Sequence, residues 1–451
     1  MQTPFTGALE DPGGREALAH AQGAPSPDEG PVGATLLPIT ASVGAGGRLS
    51  VGGVDLVALA DELGTPLFVY DEAHLRNRCR EAVGAWGEGV AYATKAFLCR
   101  AVAALAHEEG MWLDVSTAGE MHVALAAGVP ASRLVLHGNN KSDVELSGAV
   151  ESGVGRIVVD SFDEIDRLAG LVNDARAATV LVRVTPGVEA HTHEFVRTGQ
   201  EDSKFGFGLS SGAAAEAVER LRAVRGVRLV GIHAHIGSQV FRVESFAEEV
   251  EVLAKFFTPL GLPELCVGGG LGVPYVAREK APSIAEWARS VHDACGAAGI
   301  AGSTRVTAEP GRAIVATAGL TLYRVGTVKE LRGIRTYLAV DGGMSDNPRP
   351  VLYGSGYEAF LPRATDAPRP RAVRVVGKHC EAGDVVVADA RVPEDVAVGD
   401  VLATPVTGAY GYAMASNYNK VPRPAVVFVA DGRYRVVVRR EDEDDLLRLD
   451  A

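Results

Sequence analysis

Lys95 stands where a lysine can act as a nucleophile. It ends the apolar run VAYATK at residues 90–95, and burial at such a position favours the uncharged amine and lowers its pKa. An uncharged amine can attack an aldehyde and form a Schiff base. A lysine at the end of a strand can instead extend its ammonium group into water. Other residues must therefore decide between the two interpretations.

Two later segments supply further parts of a cofactor site. The triplet Gly268–Gly270 and the segment EPGR at 309–312 each follow a β-rich run, and backbone N–H groups at such turns commonly bind a phosphate. The glycine triplet alone could be no more than a turn, but Glu309 adds a carboxylate that could pair with a protonated pyridine nitrogen. A cofactor with an aldehyde, a ring nitrogen and a phosphate would use all three features. Pyridoxal 5'-phosphate (PLP) is such a cofactor.

The segment GIHAHIGSQ supports two interpretations. His233 and His235 lie on the same side of a strand, so they could bind a metal ion in a hydrolytic barrel. In a PLP site, His235 could stack on the ring and Ser238 could reach the phosphate, with His233 a buried structural histidine. The metal interpretation gives Lys95 and the two glycine-containing turns no role.

Eight β-rich runs, separated by helical segments, would position these residues. The runs are 90–95, 113–117, 134–139, 156–161, 180–184, 228–238, 265–270 and 305–312. This alternation is typical of βα units around a parallel sheet, and eight units predict an α/β fold with a closed (β/α)8 TIM barrel. Polar or glycine-rich groups end nearly every run, among them Lys95, Asp114, His137, Asp160, His235 and Glu309. Because barrel enzymes carry their active sites at that rim, we expect these side chains to meet there.

The rest of the chain predicts a leader and a second domain. Residues 1–40 are rich in Gly, Pro and Ala without a sustained period and are predicted to form a flexible leader. The barrel is predicted over 71–315. Short alternating runs after about residue 316, joined by TPLFVYD from before the barrel, predict a β-sandwich or β-barrel-like domain formed by 41–70 and 316–451.

Composition excludes several classes of partner and location. The formal net charge of -13 would repel a phosphate backbone, so nucleic acid is not expected as a partner. No apolar run reaches the length of about eighteen residues that a membrane helix needs. Five widely spaced cysteines without a CxxC pair argue against a disulfide framework or a zinc site. We expect a cytoplasmic protein that acts on a small metabolite.

Ten segments together resemble one enzyme family. In the order and approximate spacing of the diaminopimelate decarboxylases, the chain contains YATKAF, LDVSTAGE, LHGNNKS, HTHEF with DSKFGFG, HAHIGSQ, GGGLG, EPGR, DGGMSDNPRPVLY, KHCEAGD and TGAYGY. The resemblance spans roughly residues 50–440. It is shared in part with the ornithine and arginine decarboxylases, which have the same alanine racemase-like barrel fold.

The resemblance implies a set of site residues. The catalytic residues it implies are Lys95, which forms the Schiff base, Cys380, the proposed proton donor, and His235, which stacks on the ring. The cofactor site it implies consists of Lys95, Asp114, His235, Ser238, Gly269, Gly270, Glu309, Gly311, Arg312 and Tyr410. The substrate site it implies consists of Arg312, Arg349, Tyr353, Glu381 and Tyr410. No metal is implied.

The resemblance also implies a reaction and an assembly. The reaction is the PLP-dependent decarboxylation of meso-2,6-diaminopimelate to L-lysine, the last step of lysine biosynthesis. The assembly is a homodimer with shared active sites, in which Lys204 would pair with Asp384 across the interface. Alternatives are another basic amino-acid decarboxylase of the ornithine or arginine type, a PLP-binding barrel that is not an enzyme, and the metal-dependent hydrolase with His233 and His235. Arg349 with Glu381 favours the first reaction, because a diamine-forming enzyme needs no arginine at the tail of its substrate.

Overall fold

A ring of eight parallel strands forms the first domain of the computed structural model, which describes residues 30–187 and 203–451. The strands are Ala91–Ala93, Trp112–Val115, Leu134–Leu136, Arg156–Val159, Ala178–Thr185, Val227–His233, Glu264–Cys266 and Arg305–Thr307. Each one pairs with the next in chain order. Ala91 N–H donates to the carbonyl of Ala308 at 3.0 Å and Ala93 N–H to that of Pro310 at 3.2 Å. These bonds join the first strand to the chain after the eighth, and the barrel prediction is confirmed.

Helices cover the outside of the ring. They are Glu72–Trp86 before the first strand and, after successive strands, Arg100–Glu108, Ala118–Ala126, Asp143–Ser152, Phe162–Leu171, Ala213–Ala223, Val243–Phe257, Ile284–Ala297 and the short Arg312–Val315. Hydroxyl residues begin several of them. The side chain of Ser142 accepts from Glu145 N–H and that of Ser283 from Glu286 N–H, each within a capping box, which satisfies otherwise unpaired N–H groups of the first turn.

Side chains fill the inside of the ring below the rim. Seven residues from successive strands form a buried cluster of their own: Ala91, Trp112, Val135, Val158, Leu181, Val230 and Cys266. At the amino-terminal end, the ring of Trp112 lies between the guanidinium groups of Arg133 and Arg156 at 5.6 and 5.3 Å. Because this end is packed, chemistry is confined to the carboxyl ends of the strands.

The second domain is an eight-stranded sheet assembled from both ends of the chain. Its strands are Leu67–Asp71, Gly319–Leu331, Arg335–Val340, Arg371–Val376, Val385–Val392, Val401–Pro405, Ala425–Ala430 and Arg433–Val438. Leu67–Asp71 pairs antiparallel with Gly319–Leu331 and parallel with Ala425–Ala430. Two short helices, Arg349–Tyr353 and Glu443–Leu447, also belong to this part of the chain.

The chain before the large sheet is more ordered than the sequence predicts. The strands Ser42–Val43, Leu49–Val51 and Val54–Asp55 form a small sheet, followed by the helix Leu56–Leu63. Within the predicted leader, Leu36 is fully buried and the hydroxyl of Thr40 donates to Asp71 at 2.7 Å. Residues 30–40 are therefore packed against the rest of the chain. The burial of Leu36 and the hydrogen bond from Thr40 to Asp71, the last residue of a β-domain strand, hold them in place. Residues 1–29 lie outside the described residues. Within the described ranges, the structure contains no helix with the length and apolarity needed to cross a bilayer.

Candidate active site

The rim of the barrel brings together the polar residues that end its strands. Lys95 lies in the turn Thr94–Ala96, directly after the first strand, and Asp114 lies within the second strand with 5% of its surface exposed. The hydroxyl of Thr94 donates to the carbonyl of Asp114 at 2.8 Å. The first two strands are thus held in register where the candidate nucleophile leaves the sheet.

The pKa of Lys95 is raised, which differs from the sequence prediction. Desolvation does lower the pKa of this amine, but the electrostatic influence of Tyr410, Asp114 and Glu309 outweighs it. The prediction that burial lowers the pKa of Lys95 is therefore wrong, because the side chain is exposed at the rim and the neighbouring acidic groups outweigh desolvation. The charged amine is well placed to attract an anionic ligand.

Glu309 is held between two histidines. Its Oε1 lies 2.8 Å from Nε2 of His137, and its Oε2 lies 2.9 Å from Nε2 of His233. All three side chains are buried, and the two imidazole rings meet edge to face with centroids 4.8 Å apart. Both carboxylate oxygens are therefore occupied by ring nitrogens from the third and sixth strands.

The contacts with the two histidines keep the carboxylate of Glu309 ionised. Burial would raise the pKa of Glu309, but the two histidines hold it well below its usual value. Desolvation lowers the pKa of His233 to about 4, whereas Asp114 and Glu309 outweigh desolvation and raise the pKa of His137. At neutral pH, Glu309 is an anion beside a neutral His233, and the raised pKa of His137 favours the charged form of that imidazole.

His235 lies apart from the group of residues that could converge on an ion. Desolvation and the nearby charge of Lys95 hold the pKa of His235 well below its usual value, and its Nδ1 accepts from Gly269 N–H at 3.2 Å. Among the described residues, the group of three or more that could converge on an ion is His137, His233 and Glu309. The hydrolase alternative named His233 and His235, and this group does not include His235.

The glycine-rich turns form a cradle that side chains would fill. A Cβ atom on Gly269 would lie 2.3 Å from the carbonyl oxygen of Glu309, and one on Gly270 would lie 2.3 Å from that of Gly237. A Cβ on Gly311 would lie 3.0 Å from Ala93. Only glycine allows the ends of the sixth, seventh and eighth strands to approach so closely. Because Gly269 N–H donates to His235, the backbone N–H groups that could face a small anion are those of Gly270 and Gly311.

Arg312 and Tyr410 close the same region from two domains. The guanidinium of Arg312 donates to the hydroxyl of Ser238 at 2.8 Å and lies over the ring of Tyr410 at 4.7 Å. Tyr410 N–H donates to the carbonyl of Ala96 at 2.8 Å, and the residue has a positive φ of 59°. This conformation is uncommon for a residue with a side chain, and it sets a β-domain tyrosine beside the Lys95 turn.

A second arginine, Arg349, begins the short helix of the β domain. Its Nη1 donates to the hydroxyl of Tyr357 at 2.6 Å, and its guanidinium lies over the ring of Tyr275 at 4.1 Å. Tyr275 in turn accepts from Nη1 of Arg312 at 2.6 Å. Tyr353, predicted to bind substrate, is half-buried at the end of the same helix.

Arg312 and Arg349 are buried charges without an acidic neighbour. Their exposed fractions are 8% and 4%, and within residues 30–187 and 203–451 their side-chain hydrogen bonds go to the hydroxyl groups of Ser238, Tyr275 and Tyr357 and not to a carboxylate. Nε of Arg312 also lacks a hydrogen-bond partner in that part of the chain. Because an uncompensated buried charge is costly, the two guanidinium groups indicate a site for an anionic ligand.

The turn that carries Cys380 and Glu381 is exposed. The hydroxyl of Tyr418 donates to the carboxylate of Glu381. The neighbouring His379 is buried and bonded through its two ring nitrogens to Asn419 at 2.9 Å and Ser345 at 2.8 Å. The turn is thus fixed from inside the β domain while its thiol and carboxylate face outward.

The predicted pairing of Lys204 with Asp384 lies between two subunits and stays a prediction. Asp384 is only 2% exposed. Its two oxygens accept from the backbone N–H groups of Met344 at 2.7 Å and His379 at 2.8 Å. Within its own subunit, this carboxylate therefore holds the turn that carries His379.

Sequence reasoning missed four residues that contact the site. His137 was named only as a rim residue, and Tyr275, Tyr357 and Arg183 were not named. Arg183 is buried, and its Nη1 lies 3.7 Å from Oδ2 of Asp160. The rule that placed Lys95 could have found His137 and Arg183, which lie at or near the ends of barrel strands. The two tyrosines lie in loops and gave no such signal.

A family model matches the barrel. The description of that family is pyridoxal-dependent decarboxylase, pyridoxal binding domain, and the match covers residues 72–316. The match coincides with the part of the chain that holds Lys95, the glycine cradle and Glu309.

Curated relatives and solved structures resemble nearly the whole chain. Diaminopimelate decarboxylase of Mycobacterium tuberculosis is 49% identical over 427 residues, covering 90% of this chain and 95% of the relative. The Bacillus subtilis enzyme of the same name is 44% identical with the same coverage. The crystal structure of diaminopimelate decarboxylase from M. jannaschii in complex with L-lysine has a TM-score of 0.84 and 31% identity, covering 92% of this chain and 98% of that one.

Proposed function

The chain belongs to the diaminopimelate decarboxylase family, and from that premise we propose that it converts meso-2,6-diaminopimelate to L-lysine and CO2. It is a PLP-dependent carboxy-lyase of lysine biosynthesis. The observation that carries the proposal is the pair of buried, uncompensated guanidinium groups of Arg312 and Arg349. They lie on the substrate side of a cradle suited to a phosphorylated aldehyde.

The residues at the rim fit PLP. Lys95 would hold its aldehyde carbon, Glu309 its ring nitrogen, and the cradle of Gly269, Gly270 and Gly311 with Ser238 its phosphate. When bound, PLP supplies an electron sink for the bond that releases CO2. Glu309 can keep a proton on the ring nitrogen because the two histidines keep the carboxylate ionised.

The remaining site residues orient the reactants. His235 would stack on the cofactor ring, and Asp114 would lie against the cofactor between Lys95 and His137. Tyr410 is fixed to the Lys95 turn through its backbone N–H. It would contact both the phosphate of the cofactor and the substrate. Lys95, charged before the cofactor binds, would hold the aldehyde carbon of the cofactor and, when free of it, a proton at its Nζ.

The far end of the substrate is proposed to bind in the β domain. Arg312 and Arg349 would pair with the distal carboxylate, while Glu381 and Tyr353 would contact the distal ammonium group. Ornithine and arginine lack the distal amino-acid group, so their decarboxylation would leave the two arginines unpaired. Another basic amino-acid decarboxylase is the alternative that this arrangement disfavours.

We further propose a homodimer with shared active sites. Cys380 and Glu381 lie on an exposed turn, which suits residues that complete the site of a second subunit. Cys380 would return a proton to the carbon that has lost CO2. All five cysteines are unpaired, as suits the cytoplasm, where thiols are kept reduced.

The test uses the purified holoenzyme with meso-diaminopimelate, ornithine and L-lysine as substrates. We expect L-lysine and CO2 from meso-diaminopimelate and little turnover of the other two. Borohydride should fix the cofactor on Lys95, read by peptide mass. Turnover of ornithine equal to that of meso-diaminopimelate, or reduction onto another lysine, would contradict the proposal.

The same assay tests the role of Arg349. Arg349→Ala should lower kcat/KM for meso-diaminopimelate, because a charged partner of the substrate is lost. The decrease should correspond to a loss of at least about 2 kcal/mol in transition-state binding. The variant should retain the absorption of bound PLP. An unchanged kcat/KM would remove the arginine from the substrate site.

A further inference from the structure

We propose that Tyr275 and Tyr357 are positioning residues that set the specificity of the site for a substrate with a distal carboxylate. The inference rests on the proposed function and adds two residues that touch neither the cofactor cradle nor Lys95 in the described contacts. Their role is to hold Arg312 and Arg349 in place without neutralising them.

The contacts form one continuous chain. Ser238 accepts from Arg312, Arg312 donates to Tyr275, the ring of Tyr275 lies under Arg349, and Arg349 donates to Tyr357. The rings of Tyr275 and Tyr357 meet edge to face with centroids 5.2 Å apart. The chain thus runs from the phosphate side of the cradle to the proposed tail site.

The chain also joins the two domains. Tyr275 lies in the loop after the seventh barrel strand and Arg312 follows the eighth, whereas Arg349 and Tyr357 belong to the β domain. The spacing of the two guanidinium groups therefore depends on how the tyrosines meet. A fixed spacing selects the length of the substrate as well as its charge.

The choice of tyrosine over an acid has a physical reason. A buried arginine is usually held by a carboxylate, but an internal carboxylate would cancel the charge and compete with that of the substrate. A phenol accepts a hydrogen bond from the guanidinium and stays neutral. Burial, only partly offset by Arg349, raises the pKa of Tyr357 to about 12, so this hydroxyl keeps its proton at physiological pH. The ring faces add attraction for a cation.

The experiment compares two ligands that differ in one group. L-lysine carries the distal carboxylate and cadaverine is the same chain without it. Their affinities for the PLP-loaded enzyme are measured by absorption titration for wild type, Tyr275→Phe and Tyr357→Phe. Tyr434→Phe, which loses a hydroxyl bonded to Glu62 at the edge of the β domain, is the control.

Each of the two site variants should lose about tenfold of the preference for L-lysine over cadaverine, which corresponds to about 1.4 kcal/mol. KM for meso-diaminopimelate should rise by a similar factor, with kcat changed less than about twofold. PLP absorption should remain as in wild type, and the Tyr434 control should behave as wild type throughout.

A charge variant separates positioning from packing. Tyr357→Glu supplies Arg349 with an internal counter-ion, so it should abolish the preference for L-lysine while the thermal midpoint of unfolding is kept or raised. Preserved ligand preference in both phenylalanine variants, or in Tyr357→Glu, would overturn the inference. Failure of the wild-type enzyme to decarboxylate meso-diaminopimelate would overturn the proposed function instead, since the ligand titration does not depend on turnover.

Discussion

At the scale of single residues, the ionisation of Glu309 depends on two histidines. The carboxylate is buried, and alone it would tend to be protonated. His137 and His233 occupy its two oxygens at 2.8 and 2.9 Å and hold its pKa well below the usual value. The carboxylate that we propose for the ring nitrogen of the cofactor therefore keeps its charge because of the two histidines that contact it.

Replacing His137 should weaken catalysis without removing a group that touches the substrate. His137→Phe keeps a ring but removes the N–H donor, so the pKa of Glu309 rises and kcat should fall about tenfold to a hundredfold, the range for a hydrogen bond to a charged group. His137→Gln retains an N–H donor and should recover part of the loss. The exposed His122 provides the control His122→Gln, with unchanged kcat. If His137→Phe has wild-type kcat, the histidine is not needed to keep Glu309 ionised.

A residue of the site could be predicted from the sequence when the few residues around it indicated both its element and its role. Lys95, Glu309 and the glycine triplet stand at strand ends, where a short stretch of sequence gives both the element and the residue type. The partners of Glu309 lie 172 and 76 residues away along the chain. Their meeting depends on closure of the ring, which no local pattern specifies. Tyr275 and Tyr357 were missed for the same reason.

At the scale of elements, a buried ion pair links the loop after the third barrel strand to the helix after the fourth. Nζ of Lys141 lies 2.8 Å from Oε1 of Glu164. It also donates to the carbonyls of Gly138 at 2.8 Å and Val158 at 2.6 Å. The lysine side chain is 1% exposed and that of the glutamate 2%. Two carbonyl oxygens accept hydrogen bonds from the ammonium group, and the carboxylate of Glu164 supplies the opposite charge. The pair therefore joins two neighbouring βα units.

Removing one member of this pair should destabilise the protein strongly. Lys141→Met leaves the carboxylate of Glu164 buried and unpaired, at an expected cost of about 3–5 kcal/mol in the free energy of unfolding. Lys141→Met with Glu164→Leu should recover much of it, because no charge remains buried. Arg225→Ala, which breaks an exposed pair with Asp174, should change little. Urea denaturation of the four proteins provides the comparison, and equal midpoints for wild type and Lys141→Met would be the contrary result.

A second buried acid, Glu249, has no such partner. It lies on the inner face of the helix Val243–Phe257 and is fully buried. Over residues 30–187 and 203–451, no hydrogen bond reaches either carboxylate oxygen. Burial raises the pKa of Glu249 well above its usual value. The helix therefore carries a carboxyl group whose neutral form is favoured by burial.

The stability of the protein should consequently fall with rising pH through this residue. The folded-state pKa lies above the unfolded value, so the folded form binds the extra proton, and its stabilising effect is complete below about pH 4.5 and lost as pH rises towards the folded pKa. Glu249→Gln removes the proton linkage. Its stability relative to wild type should increase by about 1.4 kcal/mol for each pH unit in that window. The neighbouring Glu248 is exposed, and Glu248→Gln is the control for the loss of a carboxylate from the same helix. A pH-independent difference between Glu249→Gln and wild type would show that burial does not raise the pKa of Glu249.

The elements themselves were predicted well as to type and less well as to length. All eight β-rich runs contain a strand, but the run 228–238 ends as a strand at His233. The rest of that run leaves the sheet, because His235 and Ser238 turn towards the site. In the β domain, the segment Arg349–Tyr353 forms a short helix that the sequence reasoning did not predict. Proline at 348 and 350 removes the N–H groups that a strand would need.

At the scale of the whole molecule, the proposed shared site can be tested by mixing inactive subunits. Lys95→Ala and Cys380→Ala should each be inactive alone. If the two residues meet across a dimer, each heterodimer has one intact site, and statistical exchange should restore up to about one quarter of wild-type activity. Mixing Lys95→Ala with Lys95→Arg serves as the control that cannot complement. Absence of activity in mixtures that contain heterodimers would separate Cys380 from the Lys95 site.

The position of Leu67–Asp71 in the large sheet has a consequence for how the protein is made. This apolar strand leaves the ribosome before the barrel, yet its two neighbours, Gly319–Leu331 and Ala425–Ala430, are made after it. The barrel strands are complete by Thr307 and can fold while synthesis continues. Throughout that time the strand LFVYD has no sheet to join, and an unpaired apolar strand is prone to aggregate. We therefore expect the yield of active protein in cells to depend more on elongation rate and chaperone supply than the stability of the finished fold would suggest.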